Sequence, residues 1–377
     1  MNKKSIWAAA LCAATFLSGC GNSGSGKSET DEYYLLIGSY APASEEGIKV
    51  YSFDQNNGKS EYVSGIKGVS NPSFLTPSAD GSRIYSVTED EGETASLHAL
   101  TFDREKGTLA LLNEERTLGG APCYVALSPD ERYAVTANYL GGSISVFPIR
   151  QDGKLSPAHP IVFSGKGADA ERQKQPHLHC ILFTPDKRYL LASDLGTDRI
   201  YSFPLDSTKA LLDTAARKDI LLPPATGPRH LTPSPNGKHI YLMSELSGQV
   251  MVFSYDEARL DTMQTVLADT CHAQGGADIH VSPDGHFVYA SCRLQNDGIA
   301  IFEVTEDGSL TKVGYQKTGS HPRNFAISPN GNYLLVACRD ANAVEIYQRN
   351  PETGLLQDTG QRIEMPKPVC LKFVKRQ

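Results

Sequence analysis

The sequence predicts an all-β protein, a seven-bladed β-propeller with four-stranded blades, closed by pairing its N- and C-terminal strands in one blade. One strand-turn-strand unit recurs seven times, the turns of the units are alike, and the seventh unit is divided between the two chain ends. A period of roughly 45 to 54 residues matches a propeller blade. Because each blade adds its own slice of core, 377 residues fit one domain.

The units align on the dipeptide that begins each of them, with spacings of 50, 54, 52, 49, 45 and 46 residues. After it comes an apolar strand, then a turn in which Pro and Asp or Asn-Gly separate β-branched runs, which is hairpin chemistry. The dipeptides are Asn71-Pro72, Ala121-Pro122, Gln175-Pro176, Gly227-Pro228, Gly276-Ala277, His321-Pro322 and Lys367-Pro368. The clearest turns are Ser128-Pro129-Asp130, Thr184-Pro185-Asp186, Ser234-Pro235-Asn236-Gly237, Ser282-Pro283-Asp284-Gly285 and Ser328-Pro329-Asn330-Gly331.

The two ends of the chain supply the last blade. Residues 367–374 contain only the first strand of a unit, whereas residues 34–40 resemble a second strand. Joined, they complete one blade and leave no open sheet edge. The propeller domain is therefore predicted to span residues 32–377.

The N-terminus is predicted to be a lipoprotein signal peptide over residues 1–20. Lys3 and Lys4 precede an apolar run over residues 6–17, which is too short to span a membrane. The ending Leu17-Ser18-Gly19-Cys20 resembles the bacterial lipobox, in which the cysteine is lipidated; a plain secretory signal is the alternative. Residues 21–31, rich in Gly and Ser, are predicted to be a flexible linker. We expect an exported lipoprotein, anchored to a membrane through Cys20.

The charge balance excludes some partners. The formal charge of −7 becomes −9 when Lys3 and Lys4 are removed, with 34 basic against 43 acidic residues. Such a surface repels nucleic acid and anionic lipid. We expect no nucleic-acid partner, and membrane contact only through the lipid anchor. The sequence has no glycine-rich phosphate loop, Gly-x-Ser-x-Gly elbow or dinucleotide fingerprint, so no cofactor is predicted.

Six cysteines follow Cys12 and Cys20. They lack close metal or redox spacing and most lie in apolar strand runs, which favours buried free thiols over disulfides. They are Cys123, Cys180, Cys271, Cys292, Cys338 and Cys370.

Propeller geometry predicts a functional site at one mouth of the central channel. The start of a blade's first strand and the end of its second lie at the same face, because the two strands form an antiparallel hairpin. The residues that directly follow the seven dipeptides are Ser73, Cys123, His177, Arg229, Asp278, Arg323 and Val369. The second strands end at Tyr40, Glu89, Tyr139, Leu195, Glu245, Arg293 and Arg339, and two residues along the first strands stand His179 and His280.

Arginines, an imidazole and compensating carboxylates at one mouth predict a site for a small anionic molecule. The alternative for any one of them is a channel residue hydrogen-bonded to water or to a neighbouring strand. A zinc site at His177-Leu178-His179 is a competitor, but no carboxylate or thiolate stands at suitable spacing beside the pair. No metal is therefore predicted.

Five motifs follow one another along the predicted inner strands and the turns beside them. They are Pro176-His177-Leu178-His179, Asp194-Leu195-Gly196-Thr197-Asp198-Arg199-Ile200, Gly227-Pro228-Arg229-His230, Ser244-Glu245-Leu246 and Pro322-Arg323-Asn324-Phe325. In this order they resemble the seven-bladed lactonase family, which includes bacterial 6-phosphogluconolactonases and the fungal carboxy-muconate lactonizing enzyme. The resemblance covers residues 33–377. Cys292 and Cys338 replace asparagines usual in the family, and Arg339 stands where glutamine is common.

The resemblance implies metal-independent chemistry led by His177 or His179, Arg229 and Glu245, with Arg293 fitting a family arginine. In the resulting hypothesis His177 takes a proton from water, Arg229 stabilises the oxyanion and Glu245 orients either of them. Arg293 and Arg323 anchor the anionic group of the substrate. The other residues expected to bind substrate are His179, Asp194 and His230. The polar loop over residues 165–175 is a candidate lid.

The leading functional prediction is a hydrolase that opens a sugar lactone, 6-phosphogluconolactonase-like, acting on a small anionic lactone or sugar acid. The alternatives are an exported, non-enzymatic propeller that binds a ligand or partner, and a cyclase that runs the reverse chemistry on a dicarboxylate. An export signal conflicts with a phosphorylated cytoplasmic substrate.

Overall fold

The computed structural model of this chain describes residues 32–206, 208, 211–257 and 259–377. These residues form seven antiparallel sheets, each with four main strands, arranged as blades around a central channel. Helix among them is confined to two short 3₁₀ turns, Gly92–Thr94 and Thr214–Ala216. The predicted fold is confirmed. The predicted signal peptide, linker and lipidated Cys20 lie outside the described residues.

The strands are numbered in chain order. They are β1 Glu32–Ser39, β2 Ile48–Asp54, β3 Ser60–Ile66, β4 Leu75–Pro77, β5 Arg83–Thr88, β6 Ser96–Asp103, β7 Thr108–Arg116, β8 Pro122–Leu127, β9 Tyr133–Asn138, β10 Ser143–Pro148, β11 His159–Val162, β12 Leu178–Phe183, β13 Tyr189–Asp194, β14 Arg199–Asp206, β15 Leu211–Leu212, β16 Lys218–Leu221, β17 Pro228–Pro233, β18 His239–Ser244, β19 Gln249–Asp256, β20 Arg259–Leu267, β21 Gly276–Val281, β22 Phe287–Cys292, β23 Gly298–Val304, β24 Leu310–Lys317, β25 Pro322–Ile327, β26 Tyr333–Cys338, β27 Ala343–Arg349, β28 Leu356–Glu364 and β29 Pro368–Lys375.

Each blade is a meander whose first strand lies innermost. Blade one is β4–β7, and blades two to six are β8–β11, β12–β16, β17–β20, β21–β24 and β25–β28. In blade three the strand β14 pairs with both β15 and β16. Blade seven consists of β29 followed by β1, β2 and β3, as the division of the repeat between the chain ends predicts.

The core lies between the faces of neighbouring blades, so both faces of most strands are apolar. Between blades five and six, for example, Tyr289, Ile301, Phe325, Val336 and Tyr347 form one buried cluster. Burying such side chains from water is the main favourable term in folding, about 1.5–3 kcal/mol for each large residue. Stacked blades therefore hold the inner strands, and the polar ends of those strands, in fixed positions.

A β-bulge interrupts the pairing of the innermost strand in blades two to seven. In blade four, Pro228 pairs with Ser244 and His230 with Met243, which leaves Arg229 as the extra residue. The other shifts fall between Pro122/Tyr124, Leu178/Cys180, Gly276/Ile279, Pro322/Asn324 and Gly38/Ser39. A bulge re-aims side chains beside its site, and bulges are frequent next to active sites.

The bulges correct the predicted inner ring in two blades. In blade three the pairing of Leu178 with Asp194 places His179, two residues after His177, at the position of Arg229. In blade five the pairing of Gly276 with Cys292 places Ala277 at that position, and Asp278 one residue deeper. The physical reasons are that Pro176 stands before its strand begins and that blade five starts on two glycines without a proline.

Candidate active site

Three guanidinium groups converge on one buried carboxylate at the mouth. Glu245, directly after β18, accepts a hydrogen bond at Oε2 from Arg229 Nε (2.9 Å), on the neighbouring strand of the same blade. Arg293 Nη2, from blade five, reaches the same oxygen at 3.0 Å. Arg172 Nη2 donates to Oε1 at 2.6 Å. The two rings predicted to meet at one mouth therefore do so here.

The surrounding guanidinium groups keep the carboxylate of Glu245 ionised. Burial alone raises the pKa of a carboxyl group, but the guanidinium groups of Arg293, Arg229 and Arg172 outweigh it and lower the pKa of Glu245 to about 2. The carboxylate is ionised at neutral pH. Three cations share one anion, so the cluster keeps a positive excess.

His177 has one ring nitrogen bonded and the other without a partner in the described part of the chain. Its Nδ1 lies 2.8 Å from the carbonyl oxygen of Tyr139, and its ring stacks on the Tyr139 ring at 4.3 Å between centroids. A carbonyl oxygen only accepts, so Nδ1 is the donor and carries a proton. Among the described residues Nε2 has no hydrogen-bond partner, and the side chain is half-buried.

Asp194 holds the backbone of His177 in place. Its carboxylate accepts bonds from the N–H groups of His177 (2.7 Å) and Gly196 (2.9 Å), and from the hydroxyls of Thr197 (2.6 Å) and Tyr201 (3.0 Å). With four donors around it and no exposed surface, Asp194 organises the turn after β13. Only glycine fits at Gly196, where a Cβ atom would lie 1.9 Å from the carbonyl oxygen of Gln175.

Arg323 has unused donors. Its Nη2 lies 3.7 Å from Glu89 Oε1, beyond hydrogen-bond distance, and its guanidinium packs 5.5 Å from the Tyr40 ring centroid. Tyr40 donates its hydroxyl proton to Glu89 Oε2 at 2.9 Å. The guanidinium of Arg323 makes no hydrogen bond to any described residue, and 15% of its side chain is exposed.

Arg293 differs from Arg323, because all three of its guanidine nitrogens have hydrogen-bond partners. Nε donates to the carbonyl of Gly275 (3.0 Å), and Nη2 donates to the carbonyl of Gly276 (3.0 Å) as well as to Glu245. Nη1 lies 3.4 Å from Nε2 of His321. Arg293 therefore ties blade five to Glu245.

A second polar layer lies one residue deeper on the inner strands. Asp278 accepts from His230 Nδ1 (2.7 Å) and His280 Nε2 (2.9 Å), and its Oδ2 also accepts from the side-chain amide of Asn324. Burial lowers the pKa of His230 to about 3, against the effect of Asp278, so this imidazole is neutral. Nε2 of His230 is buried without a partner among the described residues.

His179 stands between the mouth and this second layer. Its ring contacts those of Tyr139 and His230, at 5.6 and 5.2 Å between centroids, and its Nδ1 lies 3.7 Å from Cys123 Sγ. Burial, reinforced by the positive charge of Arg229, holds the pKa of His179 well below its usual range.

Sequence reasoning missed Arg172, although it singled out the loop that carries this residue. Besides Glu245, Arg172 Nη2 lies 3.3 Å from the Tyr139 hydroxyl, and 36% of the side chain is exposed. Repeat alignment does not detect it, because the loop belongs to no repeated strand. The available signal was that Arg172 is the one arginine in residues 165–175.

Metal-binding side chains and thiols are the remaining reactive groups of the described residues. Within residues 32–377 as described, no group of three or more His, Cys, Asp or Glu side chains is placed to hold a metal ion. The six described cysteines are unpaired, as predicted; five are buried as predicted, whereas Cys271 is exposed. The described part of the chain contains no helix long and apolar enough to cross a membrane.

The molecule is a seven-bladed propeller that carries an arginine cluster and a histidine at one mouth of its channel. The model of the family described as "Lactonase, 7-bladed beta-propeller" matches residues 34–373, and the chain belongs to this family of lactone-hydrolysing enzymes. A 6-phosphogluconolactonase of Bacillus subtilis strain 168 is 34% identical over 91% of this chain and 99% of its own length.

Solved structures of relatives also superpose closely on this chain. A putative 6-phosphogluconolactonase of Bacteroides fragilis NCTC 9343 superposes with a TM-score of 0.88 at 50% identity, covering 92% of this chain and 98% of its own. A periplasmic gluconolactonase of Pseudomonas aeruginosa superposes with a TM-score of 0.86 at 34% identity, covering 92% and 100%. These matches favour the enzyme over the non-enzymatic binding propeller.

Proposed function

We propose that this protein hydrolyses the internal ester of a sugar lactone, with His177 as general base and a guanidinium as oxyanion partner. The observation that carries the proposal is the pairing, at one mouth, of an imidazole with a free Nε2 and an arginine cluster that one carboxylate only partly neutralises. Relatives named 6-phosphogluconolactonase and gluconolactonase support the substrate class.

In the proposed reaction His177 Nε2 takes a proton from water while the water oxygen attacks the lactone carbonyl. Negative charge develops on the carbonyl oxygen, and Arg229 stabilises it through Nη2, its one guanidine nitrogen without a partner among the described residues. Collapse breaks the ring C–O bond, and the imidazolium returns its proton to the leaving alkoxide. The product is a hydroxy acid, which ionises to a carboxylate.

His177 is a better base than His179 on electrostatic grounds. The pKa of His179 is held well below its usual range, which makes this imidazole a weak proton acceptor. His177 is half-buried and is oriented by two independent contacts, the Tyr139 carbonyl and the Tyr139 ring. Asp194 acts through the backbone of His177, as a positioning residue.

The anionic group of the substrate is assigned to Arg323 rather than shared with Arg293. Arg323 offers a planar fork of unused donors, the geometry that matches carboxylate and phosphate oxygens. All three guanidine nitrogens of Arg293 already have partners among the described residues, and Nη2 holds Glu245. His179 and His230 form the floor of the site, where the unpaired Nε2 of His230 is available to accept from a substrate hydroxyl.

We propose that no metal takes part. Both oxygens of Glu245 are engaged by guanidinium groups, and the described residues contain no group of three or more His, Cys, Asp or Glu side chains placed to hold a metal ion. The expected consequence is that a chelator leaves the hydrolysis rate unchanged.

The experiment compares His177→Ala with His286→Ala, the latter removing an exposed histidine of the opposite, turn-bearing face. Acid release from gluconolactone and 6-phosphogluconolactone is followed by pH-stat above the spontaneous rate. We expect His177→Ala to lose about 100-fold or more in kcat, the usual contribution of general-base catalysis. His286→Ala should keep full activity. Equal rates for the two variants would disprove the assignment of the base.

We also propose export as a lipoprotein, which the lipobox-like ending at Cys20 supports. A relative described as a periplasmic gluconolactonase supports a lactone substrate outside the cytoplasm. Cys20→Ser should abolish incorporation of labelled palmitate and move the protein out of the membrane fraction. Unchanged fractionation would rule out the lipid anchor.

A further inference from the structure

The loop between β11 and β12 presents an arginine to the mouth from outside the blades. Gln173, 1% exposed, pins this loop to blade three by donating from Nε2 to the carbonyl of Leu195 (2.8 Å) and to Asp198 Oδ1 (2.7 Å). The carboxylate of Asp169 accepts the N–H groups of Glu171 and Arg172, both at 2.9 Å. The backbone of Arg172 is thus fixed before any ligand binds.

The side chain of Arg172 is only partly committed. Nη2 serves Glu245 and the Tyr139 hydroxyl, whereas Nε and Nη1 donate to no described residue. With 36% of its side chain exposed, against 1% for Arg229 and 6% for Arg293, Arg172 is the most accessible of the three arginines on Glu245. An approaching anion meets this cation first.

We propose that Arg172 is a specificity-determining residue that joins Arg323 in binding the anionic substituent of the substrate, a phosphate or carboxylate, through its free N–H groups. The contact to Glu245 aligns the guanidinium, so little side-chain entropy remains to be lost when the anion binds. The inference rests on the proposed lactone hydrolysis and assigns to that site a preference for charged over neutral lactones.

The test uses the full chain and two lactones that differ in charge, 6-phosphogluconolactone and gluconolactone. Arg172→Gln removes the cation. Lys174→Gln is the matched control, because Lys174 lies on the same loop and its ammonium pairs with Glu171 at 3.0 Å instead of facing the mouth cluster. Arg172→Lys keeps the positive charge but replaces the planar guanidinium and its several N–H donors with an ammonium group.

We expect Arg172→Gln to raise KM for the phosphorylated lactone about ten-fold, the effect of one charge-assisted hydrogen bond, and to leave KM for the neutral lactone within about two-fold. Arg172→Lys should fall between wild type and Arg172→Gln. Lys174→Gln should match wild type. If the wild type hydrolyses only the phosphorylated lactone, the inference is tested by the KM for that lactone in Arg172→Gln and Lys174→Gln. A KM raised in Arg172→Gln alone supports the inference, and equal KM values contradict it.

Several outcomes would overturn the inference. An equal change for both lactones, or a fall in kcat without a change in KM, would give Arg172 a purely structural role. If Arg172→Gln leaves both kcat and KM unchanged, Arg172 has no role in binding the substrate. If the wild type hydrolyses only the neutral lactone, the site has no preference for anionic lactones. Failure of the wild type on both lactones would instead refute the proposed function.

Discussion

Glu245 is the residue on which the charge of the mouth depends. Its carboxylate neutralises part of Arg229, Arg293 and Arg172 and holds their guanidinium groups in a fixed arrangement. A buried charge without its partner is costly, and breaking a buried pair typically loses about 3–5 kcal/mol. Glu245 therefore links the stability of the fold to the position of Arg229, the proposed oxyanion partner.

We expect Glu245→Gln to destabilise the fold by about 3–5 kcal/mol at pH 7, because buried Arg229 and Arg293 lose their counter-ion. Urea unfolding at pH 7 and pH 3 measures the effect, with exposed Glu352→Gln as control. The pKa of Glu245 is lowered from 4.5 to about 2 on folding, so its stabilisation is fully present above about pH 4.5 and is lost as the pH falls towards 2.

The pH dependence separates this role from a packing defect. Wild type should lose more stability than Glu245→Gln between pH 7 and pH 3, since the variant has no carboxylate to protonate. Parallel losses in the two proteins would contradict the assignment of the low pKa to this site.

Residue identities at the mouth were predictable where repeats could be aligned. Arg229, Glu245 and Arg323 follow from the position of each within its unit, and the structure brings them to one mouth. Asp194 and Arg172 show the limit. The motif around Asp194 does not show which way its carboxylate points. Arg172 lies on a loop that is not part of the repeated unit.

At the scale of the strand, the bulges decide which side chains face the channel. A sequence alignment on prolines assumes that every inner strand starts at the same residue of its ladder. Blade three starts two residues later than Pro176 suggests, which moves His177 into the connection before β12 and His179 into the ring. Spacing along one chain cannot show this, because register is set by the partner strand.

The displacement has a chemical consequence. In the connection His177 gains the Tyr139 carbonyl as a partner and keeps a free Nε2, whereas His179, at the bulge, is buried with an unfavourable charge environment. Two histidines two positions apart thus lie in different surroundings. The sequence left both as candidate bases, and only the register separates them.

At the scale of the whole molecule, closure holds the mouth together. The strand β1 pairs with β29 along its length, and Leu35, Leu36 and Ile37 are fully buried in blade seven. Beyond the ladder, Arg376 donates its N–H to the Glu32 carbonyl at 3.2 Å and pairs with the Glu32 carboxylate at 2.6 Å. This feature was fully predictable, because a repeat divided between the chain ends has one way to be completed.

Closure of the ring depends on β29 and can be tested in the propeller of residues 32–377. Deleting residues 368–377 removes β29, exposes the paired edge of β1 and opens the ring beside Arg323. We expect a species that aggregates and lacks lactonase activity, since an uncovered apolar edge strand pairs with other chains.

A circular permutant tests whether the pairing or the chain order matters. A short Gly-Ser linker can join residue 377 to Glu32, because Arg376 and Glu32 are already in contact, and new ends can be opened between exposed Glu306 and Asp307. All the ladders are retained, so we expect a monomer whose melting temperature and kcat stay close to those of the unpermuted protein. Size-exclusion chromatography and thermal unfolding distinguish the two designs. A soluble, active deletion variant would mean that six blades and a partial seventh suffice, and an unfolded permutant would mean that chain order, not pairing, closes the ring.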